Sequence, residues 1–173
     1  MCKSVFCLSK ISYIIGCGIG HFNESEYFVL EACEYKNHFY SYEPELLLIL
    51  NMDIDHPDFF KNKQDVILSY QGMCDRSKIV LVNGDDLLSK YLVHFNMYTF
   101  GFKSGVDYQI KLISESKNGY EVLLKGNGLC RFLKCNLVGL HNLYNYVGAY
   151  LSCVLCGLKI YQNESIELPK RRM

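Results

Sequence analysis

The chain has 173 residues, of which 50% are hydrophobic, and its 18 basic residues balance its 18 acidic ones. This length and composition are typical of one globular domain with an ample core. A nucleic-acid partner is not expected, because the only cluster of like charge is Lys170–Arg172 at the C-terminus. Nor is a membrane span, because the apolar run Leu143–Leu158 is shorter than the ~20 residues that cross a bilayer.

The first half of the chain contains four short runs rich in β-formers. They are ISYII from Ile11, YFVLE from Tyr27, LLLILN from Leu46 and IVLVN from Ile79. None alternates cleanly between polar and apolar residues, which predicts strands that are buried on both faces.

A helix is predicted between the last two of these strands, from Lys61 onward. Its apolar residues recur at helical spacing, at Val66, Ile67, Tyr70 and Met73. A helix that connects neighbouring strands predicts a crossover, and hence an α/β fold with a mostly parallel sheet.

The pattern changes in the second half. Residues 97–136 contain the runs MYTFGF, DYQIKLISES, YEVLLKG and LCRFLKC, with a turn signal at Lys117–Gly119. This predicts a smaller β-rich portion built of antiparallel strands. The apolar run from Leu143 predicts a buried helix after it.

The nine cysteines are odd in number and do not form two ligand pairs. Cys153 and Cys156 form a C-x-x-C, but inside the apolar run, where cysteine behaves as a small buried hydrophobe. A metal site at this pair remains the alternative. No signal-peptide pattern precedes the domain, so reduced thiols in the cytoplasm are expected.

Carboxylates and a histidine follow two of the predicted strands. Glu31 ends the YFVLE run, and Asp53, Asp55, His56 and Asp58 follow LLLILN. The carboxyl ends of parallel strands open into a ligand crevice, and magnesium prefers carboxylate ligands. The alternatives are a glutamate that caps a strand end and a histidine with a structural role.

Four segments in fixed order carry a resemblance. They are FVLEACEYKNHF from Phe28, LLILNMDIDHPDFF from Leu47, GLHNLYN from Gly139 and KRR from Lys170. Together they resemble the ATP-binding central domain of the Mur ligases, most closely the branch that adds L-alanine to UDP-N-acetylmuramate in peptidoglycan synthesis. The resemblance implies that domain's fold: a mostly parallel sheet flanked by helices, with a smaller antiparallel portion.

The same resemblance implies ATP and Mg²⁺ as cofactors and assigns roles to particular residues. Glu31 and His56 would be catalytic metal ligands, and Arg172 would contact the γ-phosphate of ATP. Glu34, Tyr35 and His38 would line the substrate pocket, with Lys36 and Asn37 in place of an arginine pair that is common in the family.

The GLHNLYN segment would read adenine through His141, Asn142 and Asn145. An asparagine amide carries both a donor and an acceptor, which suits adenine, and Asn142 and Asn145 share a helix face. A helix N-cap is the alternative role for Asn142, because asparagine is a preferred capping residue.

The sequence departs from the family in lacking a phosphate loop of the G-x-x-x-x-G-K-[ST] or GTHGKT type. We therefore interpret residues 1–173 as part of a central domain, without the N-terminal UDP-binding and C-terminal domains. Two hypotheses follow: a fragment or degenerate copy of the L-alanine ligase, or an inactive nucleotide-binding or scaffolding module. UDP-N-acetylmuramate, L-alanine and a second chain that supplies missing parts are the expected partners.

Overall fold

The computed structural model describes residues 11–15, 19–158 and 160. The strands are β1 Ile11–Ile15, β2 Ile19–His21, β3 Tyr27–Leu30, β4 Leu46–Ile49, β5 Ile79–Asn83, β6 Met97–Gly101, β7 Tyr108–Ser116, β8 Gly119–Gly126 and β9 Leu129–Cys135. The helices are α1 Lys63–Cys74 and α2 Leu140–Leu155, with short 3-10 helices at Tyr35–Ser41 and Ser89–Tyr91. The four strands and two helices that the sequence predicts are all present.

The strands form two sheets. One has the order β2-β1-β3, and the other has the order β4-β5-β6-β7-β8-β9. The described residues also divide into two compact units. The first unit comprises residues up to Glu31, Leu112–Val122 and residues from Phe132 onward; the second comprises Ala32–Lys111 and Leu123–Arg131.

The second unit contains the predicted parallel α/β arrangement. β4 and β5 pair in parallel with Leu46 opposite Ile79, and α1 lies between them in the chain. The side chain of Asn62 caps α1 by accepting from the Asp65 N–H at 3.1 Å, and Asp65 accepts from the Lys61 N–H at 2.8 Å. Such caps stabilise a helix by about 1 kcal/mol, so the helix start is fixed locally.

The core of the second unit lies between α1 and the parallel strands. β5 is buried on both faces, as predicted, since Val80, Leu81 and Val82 are all 1% exposed or less. The buried residues that pack into one cluster are Ile49, Met52, Phe60, Val66, Ile67, Cys74, Val80, Val82, Leu88 and Leu92. Of the residues that predicted the helix, Val66, Ile67 and Met73 are buried and Tyr70 packs against this cluster.

The connection between β6 and β7 corrects the prediction for residues 97–136. β6 pairs in parallel with β5, and β7 pairs in parallel with β6, so MYTFGF belongs to the parallel part of the sheet. Parallel neighbours usually need a crossover of a dozen or more residues, whereas six residues, 102–107, suffice here. Asp107 closes this loop by accepting from both the backbone N–H and the hydroxyl of Thr99, at 2.8 Å each.

The antiparallel portion begins at β7. Two-residue connections join β7 to β8 and β8 to β9, and neighbouring strands joined so tightly run antiparallel. The second connection is Asn127–Gly128, with φ of 45° and 77°, the left-handed pair that a tight hairpin turn requires. The predicted antiparallel strands and the turn at Lys117–Gly119 are confirmed, whereas no turn was predicted at Asn127–Gly128.

The three-stranded sheet of the first unit differs from its prediction. β3 pairs in parallel with β1 and lies at the sheet edge. Phe28 is 53% exposed and Val29 is 41% exposed, and neighbouring strand residues point to opposite faces. The prediction that this strand is buried on both faces is therefore wrong, because the side chains on both of its faces are exposed.

The second helix, α2, is also part of the first unit. Its buried residues Leu143, Val147 and Leu151 recur every four positions, so one face of the helix is apolar and covered. Across the described part of the chain, no helix combines the length and the apolar character needed to cross a membrane.

Candidate functional site

The site is built on a sharp turn that follows β4 in the second unit. His56 lies at the centre of this turn with a φ of 54°, in the left-handed region that side chains other than glycine rarely adopt. Its carbonyl accepts from the N–H groups of Phe59 and Phe60 at 2.8 and 3.0 Å, and its own N–H donates to Asp55 Oδ1 at 2.8 Å. Hydrogen bonds to its N–H and to its carbonyl therefore hold His56 in this conformation.

Three side chains converge at the turn: Glu34, Asp55 and His56. One ligand atom from each lies within 4.8 Å of the others. His56 Nε2 lies 3.8 Å from Glu34 Oε1 and 3.9 Å from Asp55 Oδ2, beyond hydrogen-bond distance. We call these three residues the donor group, because each offers one ligand atom that could bind a metal ion.

Glu34 reaches the donor group because the chain kinks directly after it. Lys36 and Asn37 both have left-handed backbone conformations, with φ of 51° and 58°. The Asn37 side chain accepts from the Ser69 hydroxyl on α1, and Phe39 is buried at 3% exposure. These contacts fix the kink and hence the direction in which Glu34 leaves the chain.

Tyr35 lies against the same turn. Its ring centroid is 4.6 Å from that of His56, with 39° between the ring planes. Its hydroxyl donates to Asp58 Oδ2 at 2.5 Å. The segment that carries Glu34 and the turn that carries His56 are therefore joined by two different kinds of contact.

Two groups at the site have shifted pKa values. The hydrogen bond from Tyr35 lowers the pKa of the Asp58 carboxyl below its usual range, which keeps it ionised. Burial raises the pKa of the Tyr70 hydroxyl above its usual range, and the negative charges of Glu34, Asp86 and Asp55 add to this effect. Negative charge thus accumulates beside the donor group.

The chemistry of the donor group fits a divalent cation. Two carboxylates are the ligands that magnesium prefers, and an imidazole beside them also suits manganese. The His56 side chain is 38% exposed, so an ion can reach it from solvent. Among the described residues, this is the group of histidine, cysteine and carboxylate side chains that could hold a metal.

The other residues predicted from the resemblance lie elsewhere. Glu31 directly follows β3 in the first unit, where its N–H donates to the Ile14 carbonyl at 3.0 Å. His38 is exposed, and its ring meets that of Tyr35 edge-on at 6.2 Å. Arg172 lies outside the described residues. The metal role of Glu31 and the phosphate role of Arg172 stay predictions.

The predicted adenine segment forms the start of α2 in the first unit. Gly139 is the N-cap, with a φ of 96°, and the exposed His141 ring packs so close that a Cβ at Gly139 would collide with it. Asn142 is three residues past the cap, and its Nδ2 donates to the Val138 carbonyl at 2.7 Å. The N-cap alternative for Asn142 is therefore wrong. Asn145 is half-buried, and adenine binding by this segment stays a prediction.

The C-x-x-C motif lies at the other end of the same helix. Cys153 is buried, and Cys156 is the C-cap. Neither belongs to a candidate metal group in the part of the chain that the structure describes. The buried position of Cys153 agrees with the prediction that it acts as a small hydrophobe.

Sequence reasoning missed two features of the donor group. It placed Glu34 only in the substrate pocket, and it named Asp55 without giving it a role. The position of Asp55 directly before His56 could have indicated its role as a metal ligand. Two residues at a sharp turn can direct both side chains to one point.

Comparisons with known proteins agree with the fold. A family model described as the Mur ligase middle domain matches residues 20–153. A UDP-N-acetylmuramate–L-alanine ligase of Pediococcus pentosaceus is 37% identical over 143 residues, which are 80% of this chain and 33% of that protein. The chain spans about a third of the length of the curated relatives that it matches.

Two solved structures share the fold at low sequence identity. The UDP-N-acetylmuramate-alanine ligase of Thermotoga maritima has a TM-score of 0.72 and 20% identity, with 86% of this chain and 36% of that chain covered. The MurF ligase of Thermotoga maritima in complex with ADP has a TM-score of 0.64 and 15% identity, with 90% and 41% covered.

Proposed function

The chain belongs to the Mur ligase family through its middle domain, and from this membership we propose that it serves the ATP-dependent ligation of L-alanine to UDP-N-acetylmuramate. In this reaction ATP phosphorylates the muramyl carboxylate, the amine of L-alanine attacks the acyl phosphate, and phosphate leaves. We also propose the cytoplasm as the site of the reaction.

The observation that carries the proposal is the convergence of Glu34, Asp55 and His56 in a chain of this family. These three residues would hold the cation, Mg²⁺ in the proposal. A bound divalent cation supplies charge neutralisation for the phosphates of the nucleotide. The chain itself contributes the ligand atoms, holds His56 in its turn and keeps Asp58 ionised beside it.

The remaining roles are proposed from the family resemblance. Glu31 would be a catalytic metal ligand, and His141, Asn142 and Asn145 would bind adenine. Arg172 would contact the γ-phosphate, for which a planar bidentate donor is well suited. Tyr35 and His38 would line the pocket for the muramyl substrate.

The second candidate function is a nucleotide-binding module without turnover. It is favoured by the sequence, because no G-x-x-x-x-G-K-[ST] segment occurs in these 173 residues. The backbone cradle, lysine and hydroxyl of such a loop contribute much of the positioning in phosphoryl transfer. Without them the chain would bind the nucleotide and leave it intact.

One experiment separates the two candidates. ATP binding to the full chain is measured by calorimetry with and without Mg²⁺, and phosphate release is then followed after addition of UDP-N-acetylmuramate and L-alanine. We expect Mg²⁺-dependent ATP binding that is at least about 10-fold weaker in His56→Ala, because a metal ligand matters at least as much as its outer-shell partners. His94→Ala is the matched control, since that histidine contacts Asn96 and not the donor group.

The outcomes differ for each candidate. Phosphate release that requires both substrates and His56 supports the ligase. Binding without release under these conditions favours the nucleotide-binding module. A chain whose affinity for ATP does not respond to Mg²⁺ or to His56→Ala contradicts both.

A further inference from the structure

We propose that Tyr35 is a positioning residue that presents the His56 imidazole to the cation, with Asp58 as its anchor. This inference rests on the proposed function, because it assigns a task to a residue beside the donor group. Tyr35 itself would not touch the cation. It would act through His56.

Tyr35 contacts the turn at two separate points. Its ring packs against the His56 ring, with the centroids 4.6 Å apart, and its hydroxyl donates to Asp58 Oδ2 at 2.5 Å. His56 and Asp58 lie on either side of Pro57, which restricts the backbone between them. The two contacts therefore fix both the position of Tyr35 and the face of the imidazole that it covers.

The donor group does not orient His56 by itself. Glu34 Oε1 and Asp55 Oδ2 lie 3.8 and 3.9 Å from Nε2, too far for hydrogen bonds that would fix the ring. The side chain is 38% exposed and borders solvent. Within the described part of the chain, the aromatic ring that packs against His56 is that of Tyr35. Groups that orient a metal-binding histidine in this way strongly affect metal affinity.

Tyr35 is in turn supported from the core. The Phe59 ring meets it edge-on with the centroids 6.1 Å apart, and Phe59 packs against the buried cluster beneath α1. The position of the imidazole is thereby linked, through two aromatic contacts, to the buried core of the second unit. A loosely held surface tyrosine would lack this link.

The test uses Mn²⁺ as the probe, because carboxylate and imidazole ligands both suit it and its electron paramagnetic resonance signal reports binding. The full chain is titrated as wild type, Tyr35→Ala, Tyr35→Phe and Asp58→Asn. We expect about 10-fold weaker Mn²⁺ binding in Tyr35→Ala. A smaller loss is expected in Tyr35→Phe, which keeps the ring contact and loses only the hydrogen bond.

Two control variants are matched to these changes. Tyr42→Ala removes an exposed tyrosine from the end of the same 3-10 segment. Asp75→Asn removes a carboxylate charge from the C-cap of α1, where Asp75 accepts from the side-chain amide of Gln71 at 2.7 Å. Both should bind Mn²⁺ with wild-type affinity. Thermal unfolding of every variant identifies those that fail to fold.

A second readout reports the ring directly. The side-chain ¹H–¹⁵N correlations of His56 are recorded without metal, and the ring protons should shift in Tyr35→Ala, where the neighbouring aromatic ring is lost. Unchanged His56 shifts, or unchanged Mn²⁺ affinity in a chain that does bind, would overturn the positioning role. A wild-type chain that binds no Mn²⁺ counts against the proposed function instead, and the ring shifts then decide the positioning role alone.

Discussion

The core beneath α1 and the donor group belong to the same unit but are held in opposite ways. In the core, Val66, Val80 and Cys74 are fully buried, and apolar contact fixes their positions. In the donor group, the ionisable side chains stand apart without hydrogen bonds to one another, and His56 has a left-handed backbone. The buried core therefore supplies the stability that holds a site whose own side chains contribute little to it.

Phe60 contacts both regions, and we expect its substitution to lower the free energy of unfolding the most. Its side chain is 2% exposed in the core, while its N–H donates to the His56 carbonyl at 3.0 Å. Phe60→Ala should lower the free energy of unfolding by about 3–5 kcal/mol, because a large cavity forms. Urea denaturation followed by circular dichroism measures the change.

The control for this prediction is Phe95→Ala, since the Phe95 side chain is 90% exposed. That variant should stay within about 0.5 kcal/mol of wild type. Equal losses in the two variants would show that burial of Phe60 does not stabilise the unit.

The core and the surface near the site should also differ in the reactivity of their cysteines. Burial raises the pKa of the Cys74 thiol to about 12, whereas Cys33, which precedes Glu34, is exposed. Because the folded pKa lies above the ordinary value of about 8.5, the fold favours the neutral thiol. This stabilisation is complete below about pH 8.5 and is lost towards pH 12, by at most about 1.4 kcal/mol per pH unit.

Two measurements check this. Iodoacetamide at pH 8 followed by peptide mapping should modify Cys33 and leave Cys74 unmodified in the folded chain. Unfolding at pH 8 and pH 10 should show a smaller pH dependence in Cys74→Ala than in wild type. Rapid modification of Cys74 before unfolding would mean that the core is open.

The left-handed backbone at His56 should have the smallest effect on stability. His56→Gly and His56→Ala both remove the imidazole and should bind cations equally poorly. His56→Gly should nevertheless be more stable than His56→Ala by about 1 kcal/mol, because glycine adopts the left-handed conformation without a clash. Thermal unfolding compares the pair, and an alanine variant as stable as the glycine variant would show that the turn carries no strain.

Much of the fold could be predicted from the sequence because it depends on local patterns of apolar and turn-forming residues. The buried β5, the helix α1 and the turn between β7 and β8 each follow from residues that are close in the chain. The parallel pairing of β6 and β7 could not be predicted, since a six-residue connection is typical of antiparallel neighbours. The exposure of Phe28 was also missed, because burial depends on layers that a strand's own sequence does not specify.

The candidate site was predictable only in part. The carboxylates and His56 after β4 follow from the rule that ligands lie at the carboxyl ends of parallel strands. The arrival of Glu34 beside them depends on left-handed conformations at Lys36, Asn37 and His56. None of these residues is glycine, and asparagine and histidine, although enriched in the left-handed region, adopt it too rarely to predict a kink. The contact of Tyr35 with Asp58 depends on the same kinks, so it could not be predicted from the sequence either.

The short loop between β6 and β7 also bears on how the chain folds. Phe100 pairs with Tyr108 across only eight positions, whereas Leu46 pairs with Ile79 across 33. Loop-closure entropy grows with the logarithm of length, so the shorter closure costs about 1.2 kcal/mol less. Parallel pairing is ordinarily a slow, long-range event in folding. The pairing of β6 with β7 is instead a local event, so this part of the parallel sheet can form without residues from a distant part of the chain.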